Sequence, residues 1–339
     1  MNKNVKTVLG LAGLAWVGKS LYDSFTDQVS FKNKVALITG GSKGLGLTLA
    51  EELIKAGAKV VICARDPAEL LKACQHLEKQ GAEVSSYPCD VASKNEVEQV
   101  IKKVIKQYGH LDFLFNNAGV IDVGPMESFT EADLKKAMDI MYWGIVHTTL
   151  AVTPHMKERQ QGHIINITSI GGEISVPHLL GYSAAKSAAI AFSKGCASEL
   201  KKDHIFVTTI VPGLMRTGSY INATFPVDSK SEFKIFSFLS STPGITLNPR
   251  RVASSIIQAT REKKAYQIIG LQTKTLITLH HLFPNLTNQV FSMGVRLLPQ
   301  KKNTQHETGE SITNRYSNAE VDFSSRFGHL AQQKHQLKS

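Results

Sequence analysis

The stretch that most constrains this chain is an apolar run that ends in a glycine-rich turn and re-emerges as a helix. Lys34-Val35-Ala36-Leu37-Ile38-Thr39 reads as a strand buried on both faces. It leads into Gly40-Gly41-Ser42-Lys43-Gly44-Leu45-Gly46, then a helical pattern from Leu47 to Ala56, and a second strand, Lys59 to Ala64, closes the unit. Glycines at 40, 44 and 46 permit a tight turn and let backbone amides approach a pyrophosphate at the positive end of the following helix, with Ser42, Lys43 and Leu45 completing the loop. A glycine match alone is weak. The strand before it and the helix after it supply the context of a dinucleotide-binding unit.

The end of the second strand selects the nicotinamide cofactor. An acidic side chain there binds a ribose 2′-hydroxyl, whereas arginine suits a 2′-phosphate. Ala64-Arg65 stands at that place, with Lys43 as a second cation, and predicts NADP. Asp66-Pro67-Ala68-Glu69 reads as N-cap, N1 proline and N3 glutamate of the next helix.

Strand and helix patterns then alternate: helix Pro67 to Gln80, strand Glu83 to Cys89, helix Lys94 to Tyr108, strand Asp112 to Asn116. This order predicts an α/β fold, a Rossmann-like doubly wound parallel sheet with a ligand crevice at the carboxyl ends of its strands. Asp90-Val91 and Asn117-Ala118-Gly119 fall at two such ends, as cofactor contacts or as plain turn residues.

A candidate catalytic group follows. Of the eight tyrosines, only Tyr182 has a lysine four residues on, Lys186, and helical spacing places the two on one face. The ammonium is expected to pull the phenol down from its usual pKa of about 10. Ser169, at the end of the apolar run Ile164 to Ile167, adds a hydroxyl that would hold a carbonyl oxygen while Tyr182 protonates it. Any helix face can carry a Tyr and a Lys; the added serine favours chemistry.

Charge and cysteine usage narrow the partners. Lys plus Arg number 39 against 28 Asp plus Glu, a net +11, which suits an anionic partner. No basic run is interleaved with aromatics, so nucleic acid is not expected. Cys63, Cys74, Cys89 and Cys196 show neither zinc-like nor disulfide-framework spacing, which predicts no metal site and a reducing compartment. The run Val5 to Val17, about 13 residues, is short against the about 20 that a bilayer span needs. No small-x-small cleavage site precedes Lys19. Two readings stay open for residues 1–30: a helix packed on the domain, or one holding a cytoplasmic protein at the cytoplasmic face of a membrane.

Taken together, these residues resemble the classical short-chain dehydrogenase/reductase family, bacterial and cyanobacterial members above all. The resemblance spans roughly Phe31 to Gly270. It rests on Thr39 to Gly46, Asn116 to Gly119, Ser169, Tyr182 with Lys186, and Pro212-Gly213 with Thr217. It implies that Tyr182 is the general acid/base, that Ser169 orients the carbonyl, and that Lys186 lowers the tyrosine pKa and binds the nicotinamide ribose. Pro212, Gly213 and Thr217 would border the nicotinamide. One position departs: where the family carries an asparagine three residues before a glycine, to hold a proton-relay water, this chain has Met141 before Gly144. A thioether is a weak acceptor and no donor. The relay is then rerouted, slowed or dispensable.

Beyond Thr217, Phe225, Phe233, Ile235, Phe236, Phe238 and Leu239 suggest either a lid over a bulky apolar substrate or an amphipathic helix packed elsewhere. Leu276 to Leu297 carries apolar residues at helical spacing, and the polar stretch from Gln300 to Ser339 reads as disordered. The expected organisation is a terminal helix at 1–30, a catalytic domain at 31–271, a helical extension at 272–299 and a tail at 300–339. The expected function is NADP(H)-dependent interconversion of a carbonyl and an alcohol by a homo-oligomer, on an apolar small molecule. The alternative is an NADPH-binding scaffold or redox sensor with little turnover.

Overall fold

The structure is a computed structural model that describes residues 28–300 and 302–315. Strands β1 (Val35–Thr39), β2 (Lys59–Ala64), β3 (Val84–Pro88), β4 (Phe113–Asn116), β5 (Gly162–Ile167), β6 (Ile205–Pro212) and β8 (Tyr266–Ile269) form one sheet in the order β3-β2-β1-β4-β5-β6-β8. Every pairing in it is parallel. The expected α/β Rossmann-like sheet is therefore the fold. Its strand order reverses between β1 and β4, and their carboxyl ends open the crevice in which such sheets hold ligands.

Alternation along β1 shows why the run is apolar throughout. Ala36 and Ile38 face a core completed by Leu49 and Leu53 of α1 (Gly44–Lys55), Leu70 and Leu77 of α2 (Pro67–Glu78), and Ile256 of α9 (Pro249–Arg261). Val35 and Leu37 face the opposite core with Val97 and Val104 of α3 (Lys94–Tyr108), Val152 of α5 (Gly144–Glu158) and Ala185 of α7 (Leu180–Glu199). Between α3 and α5 lies α4 (Glu131–Met138), and a short α6 (Ile170–Glu173) follows β5.

Caps set the helix boundaries. The Asp66 carboxylate accepts from the amides of Ala68 and Glu69, and Asn248 does the same for Arg250 and Arg251. Gly109, at φ 79°, stops α3 after Tyr108. Helix α1 begins at Gly44 and not at Leu47, because its first turn is built from the glycine loop itself.

The largest departure is at the tail. A second, antiparallel sheet pairs β7 (Thr224–Pro226) with β9 (His306–Thr308), and α12 (Gly309–Arg315) follows. Ile312 is buried with Tyr220, Phe225 and Phe233, the last from α8 (Lys230–Ser241). Residues 302–315 thus depart from the disorder expected of 300–339. Their polar composition hides one anchoring isoleucine and a ladder of backbone hydrogen bonds to a distant strand. Two further helices, α10 (Leu271–Leu282) and α11 (Pro284–Val295), form the extension before it. The segments 1–27 and 316–339, with the proposed terminal helix and most of the tail, lie outside the described residues. Among the described residues no helix is long and apolar enough to cross a membrane.

Candidate active site

The glycine loop sits over the carboxyl end of β1 and is clamped from the next strand. Asn117 Nδ2 donates to the carbonyls of Thr39 and Gly40 at 3.1 Å each, and the amides of Asn117 and Ala118 donate to Thr39 Oγ1 at 3.0 and 3.1 Å. The packing leaves no room for a side chain at Gly46: a Cβ there would lie 2.1 Å from the Gly40 oxygen. These contacts hold a close backbone cradle at the start of α1 that fits a pyrophosphate.

Around the cradle the expected contacts divide. Arg65 is exposed just beyond β2 and has no ion pair among the described residues. Lys43 differs: its Nζ is 2.7 Å from Glu69 Oε1 and 3.0 Å from Asn222 Oδ1. The second cation predicted for a 2′-phosphate is thus already engaged, because the N3 glutamate turns back to the loop. Ser42 Oγ reaches the same carboxylate at 3.5 Å. Asp90 spends one oxygen on the Ala92 amide in a local turn, and Val91 is buried against Gly144. Pro212 ends β6, with Gly213 following, and Thr217 is buried in the next loop.

At the end of β5, Ser169 caps α6 by accepting from the Gly171 amide at 3.1 Å. The phenol of Tyr182 from α7 comes near enough for this hydroxyl to favour its ionised form. One turn on, Lys186 Nζ lies 5.9 Å from the Tyr182 ring centroid and is only 4% exposed. The three residues therefore meet.

Their electrostatics differ from the expectation. Burial pushes the Tyr182 phenol up, and the bond from Ser169 offsets part of the rise. Lys186 does not pull it below its ordinary value here, since burial lowers the lysine itself to about 8 and its Nζ is tied to a strand carbonyl.

The sequence pattern of the short chain dehydrogenases matches residues 34–224. A fatty acyl-CoA reductase from Acinetobacter baylyi is 34% identical over 285 residues, covering 84% of this chain and 90% of that protein. Dehydrogenase/reductase SDR family member 7B of Danio rerio is 31% identical over 274 residues, covering 79% and 87%. A crystal structure of a short-chain dehydrogenase from Streptomyces avermitilis superposes with a TM-score of 0.68 at 28% identity, covering 79% of this chain and 99% of that one. The chain belongs to the short-chain dehydrogenase family.

Within this short-chain dehydrogenase, Met141 is fully buried in a π-helical turn, Asp139–Trp143, between α4 and α5. A methyl group added at Gly119 would lie 3.6 Å from its sulfur and 3.8 Å from Lys186 Nζ. The thioether thus occupies the polar side of the site, and π-turns concentrate at functional sites.

Some supporting residues were not singled out from sequence. Gly171 and Gly172 let α6 press onto α7: added methyl groups would meet the Tyr182 ring at 3.0 Å and the Lys186 carbonyl at 2.8 Å. Their neighbour Ser169 was the available signal. Beneath the site, Thr148 donates to Asn116, Asn116 to Asn166, and Asn166 to Ser193, all buried at 2.8 to 2.9 Å. This chain spans β4, β5, α5 and α7, so no local sequence window contains it.

Proposed function

We propose that this oxidoreductase uses NADP(H) to interconvert a carbonyl and an alcohol on an apolar small molecule. The observation that carries the reading is the hydroxyl pair of Ser169 and Tyr182, one turn from Lys186, at the carboxyl end of β5. Bound NADP(H) supplies or accepts the hydride. The loop Gly40 to Gly46 would hold its pyrophosphate, with Asp90, Val91 and Asn117 to Gly119 along the adenosine and ribose. Lys186, Pro212, Gly213 and Thr217 would take the nicotinamide end. Arg65 would take the 2′-phosphate, with no acidic residue competing for that place because Asp66 is committed to capping α2.

Ser169 would donate a hydrogen bond to the substrate oxygen, and Tyr182 would give it the proton that completes the alcohol. The phenol carries its proton at neutral pH, as proton donation to the substrate oxygen requires. Lys186, still largely an ammonium at pH 7, would stabilise the phenolate left behind. Phe225 and Phe233 are buried in the cluster that holds α8, while Phe238 and Leu239 on that helix remain exposed, and an apolar lid would use the exposed pair. Exposed Leu134, Trp143 and Leu150 along α4 and α5 support a homo-oligomer.

Met141, which stands against Gly119 as Lys186 Nζ does, favours a second reading, a nucleotide-binding sensor with little turnover. Titration with NADPH and NADH, followed by a screen of ketones, fatty aldehydes and acyl thioesters, separates the two. The enzyme reading expects turnover that Tyr182→Phe reduces about 10²- to 10⁴-fold with NADPH binding retained. Tight NADPH binding with no turnover on any carbonyl supports the sensor.

A further inference from the structure

We propose that the α10–α11 hairpin is a docking surface for an anionic membrane. Its inner side is fastened to the domain: Ile277 is buried and Phe291 packs with Ile174, Val211 and Ile268. Its outer side carries Leu279, Leu282, Leu286, Val290, Met293 and Leu297 at spacings of three, four, four, three and four. Leu282 is 65% exposed, Met293 68% and Leu297 84%, and α11 has no buried residue at all. Leu286, Val290 and Met293 make an exposed apolar stripe along α11, and Leu279 and Leu282 are exposed at the end of α10 just before it, the kind of face with which helices lie in a bilayer interface.

Charge selects the occupant. From Leu271 to His306 the chain has no Asp or Glu, and it has Lys274, Arg296, Lys301 and Lys302. Lys274 and Arg296 are exposed and enter no ion pair among the described residues. Such a face complements acidic lipid headgroups. A two-fold contact with a second copy would set cations against cations, with no carboxylate in the stretch to separate them. The hairpin also adjoins the site, since Thr273 in its first turn sits against Gly213 and Ile174 follows the Ser169 loop. An apolar substrate dissolved in the bilayer would then be taken up beside the catalytic hydroxyls.

The test is sedimentation of the full-length protein with phosphatidylcholine vesicles, with and without phosphatidylserine. The wild type is expected to bind the serine-lipid vesicles and to release from them as salt rises. Val290→Glu with Met293→Glu is expected to weaken that binding at least about tenfold with NADPH affinity unchanged. Should the charged pair lower NADPH affinity as well, Val290→Ser with Met293→Ser is the milder replacement and carries the same expectation. Residues 1–27 are present in every protein compared, so any contribution from them is common to all. Binding that the variants leave intact overturns the proposal. So does equal binding to neutral and anionic vesicles, no binding to either, or a variant effect confined to the oligomer mass in solution.

Discussion

Lys186 Nζ donates a 2.9 Å hydrogen bond to the carbonyl oxygen of Ile167, the last residue of β5. The bond fixes the ammonium at the strand end, in a place that water does not reach, and burial there lowers the lysine to about 8.

This burial has a sign that thermal unfolding can read. Below pH 8 Lys186 is charged in both states, and the cost of burying its ammonium is fully present. Between the folded value near 8 and the ordinary value near 10.4, the unfolded chain binds the extra proton, so this group makes stability rise with pH. Lys186→Met is therefore expected to abolish turnover and yet raise stability at pH 6 to 7, by roughly 2 kcal/mol after the lost hydrogen bond to Ile167. A melting temperature that falls would contradict the assignment.

On the NADP(H) reading proposed above, Arg65 would carry the cofactor choice, since Lys43 is held by Glu69 and Asn222. Arg65→Asp should weaken NADPH binding about tenfold or more while leaving NADH within about twofold, the difference of one charged contact. Parallel fluorescence titrations measure both, and equal losses would remove the NADP reading.

Met141 and Lys186 Nζ both stand against Gly119, where an amide in place of Met141 would serve a proton relay. Met141→Asn should raise turnover several-fold if relay is slowed, at a cost in stability of about 1 to 3 kcal/mol for placing an amide in a fully buried site. Steady-state rates across pH decide it; an unchanged rate means that the proton takes another route or that the relay is dispensable.

Ile312 anchors the tail to the buried cluster of Tyr220, Phe225 and Phe233. Ile312→Ser should loosen α12, because Ile312 is the one residue besides Gly309 that this helix buries, whereas β9 keeps its ladder to β7. Faster proteolysis near residue 309 and a several-fold higher KM for apolar carbonyls are expected, with NADPH affinity unchanged. A fall in NADPH affinity equal to the rise in KM would show instead that the whole fold is weakened.

Much of the fold is local in origin. Strand periodicity, the caps at Asp66 and Asn248, and the stop at Gly109 act within a few residues, so the alternation from Lys34 to Asn116 is legible from sequence to within a few residues at each boundary. The spacing of Tyr182 and Lys186 is equally local, being one turn of one helix.

What the sequence determined by itself was therefore which side chains are available and in what order along a doubly wound sheet, because helices and strands follow short-range patterns. The tertiary structure alone decided how charge is set among them. It tied Lys186 to Ile167, gave Lys43 to Glu69, brought Met141 beside Gly119, and recruited a polar tail through Ile312. Each of these depends on how much water and which neighbours surround a group, and those are properties of packing between segments far apart in the chain.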